Sequence, residues 1–81
     1  MNISQYEIEI KRHAFIRAME RGITPDMIEA TIKGGTVKRF GKDNVKFIKK
    51  YKYFQVICVD EIIGHRMKIV TIEKKVWYEK M

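Results

Sequence analysis

The chain has 81 residues, 46% of them hydrophobic, and a net charge of +7. That length allows one domain with one core, and the apolar content argues against disorder. Cys58 is the only cysteine, which excludes an internal disulfide and suits a reducing cytosol.

No apolar run reaches the roughly 18 residues of a membrane span. Met1–Ile10 carries Glu7 and Glu9 instead of a basic and then apolar leader, so the chain is expected to stay in the cytoplasm. The charge is lopsided. Residues 1–32 hold four basic and five acidic groups, while residues 33–81 hold thirteen and five. A field concentrated in this way attracts polyanions, nucleic acid first and an acidic protein second. The competing explanation is a solvated face of lysines, but heat-adapted lysine enrichment normally brings glutamate with it. Here twelve Lys stand against seven Glu.

In chain order, Tyr6–Lys11 alternates apolar and charged residues, the period of a half-buried strand. From His13 the period becomes helical, with Ala14, Phe15, Ala18 and Met19 on one side and His13, Arg17, Glu20 and Arg21 on the other. Gly22 ends this helix. Thr24 and Pro25 start a second one as N-cap and first helical residue, and Asp26 complements the helix dipole. Met27, Ile28, Thr31 and Ile32 form its apolar side, and Gly34-Gly35 stops it.

The rest reads as sheet. Thr36–Phe40 is a strand, and Gly41-Lys42-Asp43-Asn44 is a turn. Val45–Tyr51 and Tyr53–Val59 are strands, joined by a tight hairpin near Lys50–Lys52 or fused into one bent strand. Asp60–His65 is expected as a turn and Met67–Glu73 as the last strand. Residues 74–81 extend that strand, form a short helix or dock on a partner. The fold class is therefore α+β: strand, two helices, then a three- to four-stranded antiparallel sheet, as a single domain over residues 1–81. The expected core sets Phe15, Met19, Ile28 and Ile32 against Val56, Cys58, Ile69 and Val70.

The run His13-Ala14-Phe15-Ile16-Arg17-Ala18-Met19-Glu20-Arg21-Gly22-Ile23-Thr24 resembles the opening signature of a family of small domains known as domain of unknown function 4258. Lys68-Ile69-Val70-Thr71-Ile72 resembles its closing strand, and the likeness covers about residues 6–73. It implies two helices on a curved antiparallel sheet, related to the RelE-like and barnase-like toxin nucleases. It also implies RNA as substrate and an acidic antitoxin protein as partner.

The residues themselves carry a related chemistry. His13, Arg17 and Arg21 are spaced four apart, so a helix aligns them in one stripe. Histidine exchanges a proton near neutral pH, and the arginine fork matches phosphate oxygens. Such a set suits metal-independent RNA cleavage. His13 would take the 2′-hydroxyl proton, Arg17 and Arg21 would stabilise the transition-state charge, and Thr71 would donate to a phosphate oxygen if the last strand lies beside the first helix. Spacing favours no general acid among Tyr51, Tyr53 and His65. The alternative is that His13 caps its helix or pairs with Glu9, while Arg17 and Arg21 pair with Glu20 or Asp26 on a solvated face.

A second candidate surface is the basic, aromatic stretch: Lys38, Arg39, Lys46, Lys49, Lys50, Tyr51 and Lys52. Phosphate contacts together with base stacking hold single-stranded RNA in this way, although strand alternation sends about half of the rings to the core. Such a surface would serve equally a non-catalytic module that binds nucleic acid or an acidic protein. The nuclease reading requires His13 and the arginines to share a surface with Lys46, Lys49 and Lys50. Cys58 reads as a core residue. His13, Cys58 and His65 lack metal-ligand spacing, so neither metal nor cofactor is expected. Trp77-Tyr78 reads as a partner anchor or a cover for the sheet edge, and a homodimer is compatible with the composition.

Overall fold

The computed structural model describes residues 3–77. A short 3-10 turn, Ile3–Gln5, precedes β1 (Glu7–Ile10), α1 (Arg12–Glu20) and α2 (Pro25–Gly34). Four strands follow: β2 (Thr36–Phe40), β3 (Asn44–Lys50), β4 (Phe54–Ile63) and β5 (Arg66–Val76). The expected order and α+β class hold. The sheet has five strands, however, ordered β1-β5-β4-β3-β2, where three or four were expected. β2 to β5 pair antiparallel, while β1 adds to β5 in parallel. That pairing joins residues about sixty positions apart, so no local signal announces it.

The start of α2 follows from its sequence. The Thr24 Oγ1 accepts from the Met27 amide at 3.2 Å, and Pro25 needs no amide partner at the first turn. At the other end, a Cβ on Gly35 would stand 2.7 Å from the Ile48 carbonyl oxygen. Only glycine lets the chain leave α2 this close to β3.

Strand alternation gives the sheet two different faces. Val45, Phe47, Val56, Cys58, Met67, Ile69 and Ile72 point to the helical layer and are buried with Ala14, Ala18, Ile23, Ile28 and Ile32. Three expected core residues are displaced: Val70 is only half-buried, and Phe15 and Met19 are each 36% exposed, while Ala14 and Ala18 are buried. The small alanines let α1 approach the sheet closely, which rotates its bulkier residues to the flank.

Two further differences concern β4 and β5. Asp60–Ile63 belongs to β4, and only Gly64 and His65 turn the chain. Asp60 looks like a turn residue, yet it is fully buried between Val45 and Ile69 in the sheet register. Among the described residues neither of its carboxyl oxygens has a hydrogen-bond partner. In β5 the pairing shifts between Val59 and Asp60, so that Ile69 faces Asp60 and Thr71 faces Val59. The extra residue, Val70, is a bulge that re-phases the strand. Ile69 and Ile72 both reach the core, and Val70 stays half-buried outside it.

The hairpin at Lys50–Lys52 forms. Lys50 pairs with Gln55, the Tyr51 amide donates to the Phe54 carbonyl at 2.7 Å, and the Tyr51 and Phe54 rings stack at 4.9 Å. The final strand runs on to Val76. Trp77 then fastens to that hairpin, its Nε1 donating to the Lys52 carbonyl at 3.2 Å. Tyr78 and the rest of the tail fall outside the described residues.

Candidate nucleic-acid interface

β1 pairs only with Arg66–Ile69 of β5. Beyond Ile69 no strand among the described residues pairs with that edge of β5, and α1 lies alongside it. The two alanines fix the roll of α1, so the stripe one step round the helix looks onto the open edge. His13, Arg17 and Arg21 therefore line one groove of about 170 Å³ together with Val70, Thr71 and Ile72. The expected placement of the last strand beside the first helix is what brings Thr71 to the stripe. The Val70 bulge completes the arrangement, because it moves Thr71 off the helical face and toward the groove rim.

The three basic side chains are held differently. Arg21 donates from Nη1 to the Ile72 carbonyl at 3.1 Å, which anchors the guanidinium at the strand edge and leaves its other N–H groups to an incoming acceptor. Arg17 has only a loose contact with Glu20, Nε to Oε1 at 3.8 Å, and both side chains are largely exposed. Such a pair contributes little and yields readily to a phosphate. His13 is exposed, and among the described residues no hydrogen bond or ion pair engages it. It does not cap α1, whose N-cap Lys11 makes no side-chain bond. Glu9 pairs instead with Arg66 at 3.6 Å.

Among the described residues the groove contains one proton-transfer group, His13. His65 sits in the β4–β5 turn, and at about 3.3 Å per strand residue it is roughly 20 Å from Thr71. Tyr51 and Tyr53 lie at the opposite end, beside Trp77. None of these three reaches a phosphate held by His13.

The lysines are divided between the faces. Lys46 and Lys50 alternate with the buried Val45 and Phe47, so they project from the face opposite the helices, and Lys38 joins them as the cross-strand partner of Lys46. Lys49, opposite Val56, and Arg39, opposite Val45, belong to the helical side. Tyr51 and Lys52 sit in the hairpin, where Tyr51 is stacked and Lys52 lies 5.2 Å over the Tyr53 ring. The basic stretch is thus not one surface: Lys38, Lys46 and Lys50 do not share the face on which α1 packs, whereas Lys49 does.

The open face has features that composition did not reveal. Ile48, Ile57 and Val59 form a half-buried apolar strip across its middle. Lys38, Lys46, Lys50, Lys68 and Lys75 surround it, against Glu61 and Glu73. Lys46 lies 5.2 Å over the Phe40 ring, so its stem covers apolar surface while its charge stays in water. Thr71 pairs with Val59, which pairs with Lys46 and so with Lys38. That row connects the groove to the lysine face in about three strand spacings, roughly 14 Å. Lys68, between the core residues Met67 and Ile69, follows from alternation alone, whereas Lys75 could have been placed on this face only with the bulge known.

No protein-family model, curated protein or solved structure matches the chain.

Proposed function

We propose that this domain binds RNA, gripping the backbone in the α1–β5 groove and laying the adjoining strand across the lysine face. The observation that carries this reading is the convergence of Arg17, Arg21, His13 and Thr71 on one groove. Guanidinium forks and a hydroxyl are donors that suit phosphate oxygens. The row from Thr71 to Lys38 continues the positive field, and its apolar strip supports bases as the lysines hold phosphates. The buried single thiol of Cys58 and an RNA ligand both suit the cytosol. Membership of domain of unknown function 4258, with its link to RelE-like and barnase-like toxins and an acidic antitoxin, belongs to the same proposal and rests on the His13–Thr24 run.

Metal-independent RNA cleavage is the second reading. It is favoured by the position of His13 one helical turn from Arg17 in the same groove. It is weakened by the absence, among the described residues, of a second proton-transfer group in the groove lining, and by the separation of Lys46 and Lys50 from the α1 side. The test compares wild type, His13→Ala and Arg17→Lys on a mixed RNA pool without divalent metal, scoring binding and cleavage separately. Binding that weakens in Arg17→Lys, with no cleavage by any protein, is the expected result. Wild-type cleavage that is lost in His13→Ala with binding retained would establish the nuclease. RNA binding unaffected by Arg17→Lys would remove the groove from the account.

A further inference from the structure

We infer that the outward face of α1 is a self-association surface, on which a second copy of this chain packs antiparallel. This inference is independent of the RNA reading. Ala14 and Ala18 face the sheet, so the residue diametrically opposite them is Ile16, which is 43% exposed. Arg12 and Glu20 lie one turn to either side of Ile16, in a single outward stripe of positive, apolar and negative side chains. Phe15 and Met19, each 36% exposed, flank it.

The order of that stripe selects both partner and direction. A twofold contact is isologous, so the same patch must complement itself. Turned antiparallel about Ile16, one α1 sets Arg12 against Glu20 of its partner and Glu20 against Arg12, with isoleucine on isoleucine between them. A parallel pair would oppose Arg12 to Arg12 and Glu20 to Glu20. Charge favours the same face. Residues 33–81, which include the four antiparallel strands, hold thirteen basic groups against five acidic. Two copies meeting through their sheets would repel, whereas two meeting through α1 hold their basic faces apart. The antiparallel twofold also keeps both flanks bearing His13 and Arg17 on the same side of the pair.

A nine-residue helix, about 13.5 Å long, makes a small contact, so the dimer is expected to be weak and concentration-dependent. Sedimentation velocity from about 10 µM to about 1 mM is the measurement, with circular dichroism to confirm that every variant is folded. Wild type should shift from monomer to dimer. Ile16→Lys should remain monomeric. Arg12→Glu and Glu20→Arg should each weaken association about tenfold or more, because one reversal turns two attractive pairs repulsive. An equimolar mixture of these two variants should restore association, since each then presents the charge that the other lacks. A wild type that stays monomeric throughout, a dimer that survives Ile16→Lys, or a mixture no better than its components would overturn the inference.

Discussion

Asp60 offers the most quantitative test of how this fold is held together. Its carboxyl is fully buried, neither oxygen is hydrogen-bonded among the described residues, and its register neighbours Val45 and Ile69 are apolar. Burial without a partner raises its pKa from 3.8 to about 7. The folded protein therefore keeps this proton up to about pH 7, whereas the unfolded chain releases it near pH 4. Between those values the native state binds more protons, so stability falls as pH rises. At about 1.4 kcal/mol per pKa unit, the loss approaches roughly 4 kcal/mol, an upper bound and a large share of the total stability of a domain this small.

Asp60→Asn keeps the shape and an unpaired polar group but removes the titration. Urea unfolding of both proteins from pH 3.5 to 8 cancels the contributions of the other carboxylates. The difference in unfolding free energy should be near zero at pH 3.5 and grow toward about 4 kcal/mol in favour of the variant by pH 8. A difference that stays flat, or that favours wild type as pH rises, would refute the argument that this acid is buried and unpartnered.

Other perturbations follow from single interactions. Cys58, whose thiol is pushed up to about 12 by burial and then by the charge of Asp60, should resist thiol reagents at pH 8 until the chain is denatured; rapid labelling of native protein would show β4 to be open. Thr24→Ala removes the cap on α2 and should cost about 1 kcal/mol by urea unfolding, with no cost if water replaces the hydroxyl. Gly35→Ala should cost more than about 2 kcal/mol, because its Cβ meets the Ile48 carbonyl oxygen and backbone must move; a near-neutral result would mean that the α2–β2 junction relaxes freely. Replacing Lys38, Lys46 and Lys50 together with glutamine should flatten the salt dependence of RNA binding by about 0.7 for each phosphate that is no longer neutralised, and an unchanged slope would clear the open face.

Local signals carried most of the architecture. Thr24-Pro25 and Gly34-Gly35 bracket α2 because capping and chain reversal are decided by a few adjacent residues. The His13-Arg17-Arg21 stripe was visible because helical spacing alone aligns it. What escaped depends on distant parts of the chain. The apolar arc of α1 runs from Ala14 through Met19 to Ile16, and its buried centre is set by how closely the sheet approaches, which favoured the alanines over Phe15 and Met19. Strict alternation across Met67–Glu73 cannot place both Ile69 and Ile72 in the core. Only the bulge at Val70 does so, and the same bulge sends Thr71 to the groove. Asp60 carries the composition of a turn, and its strand position is imposed by pairing with Val45 and Ile69. The lysines were legible as a charge excess, but their division between two faces required the register.

RNA is expected to meet the α1–β5 groove and the lysine face together, which an amide NMR titration with a short single-stranded RNA at low salt tests directly. Shifts should concentrate at Arg17, Arg21 and Thr71 and continue through Val59 to Lys46 and Lys38. Perturbations confined to the hairpin and the outer side of α2, or none at low salt, would contradict it.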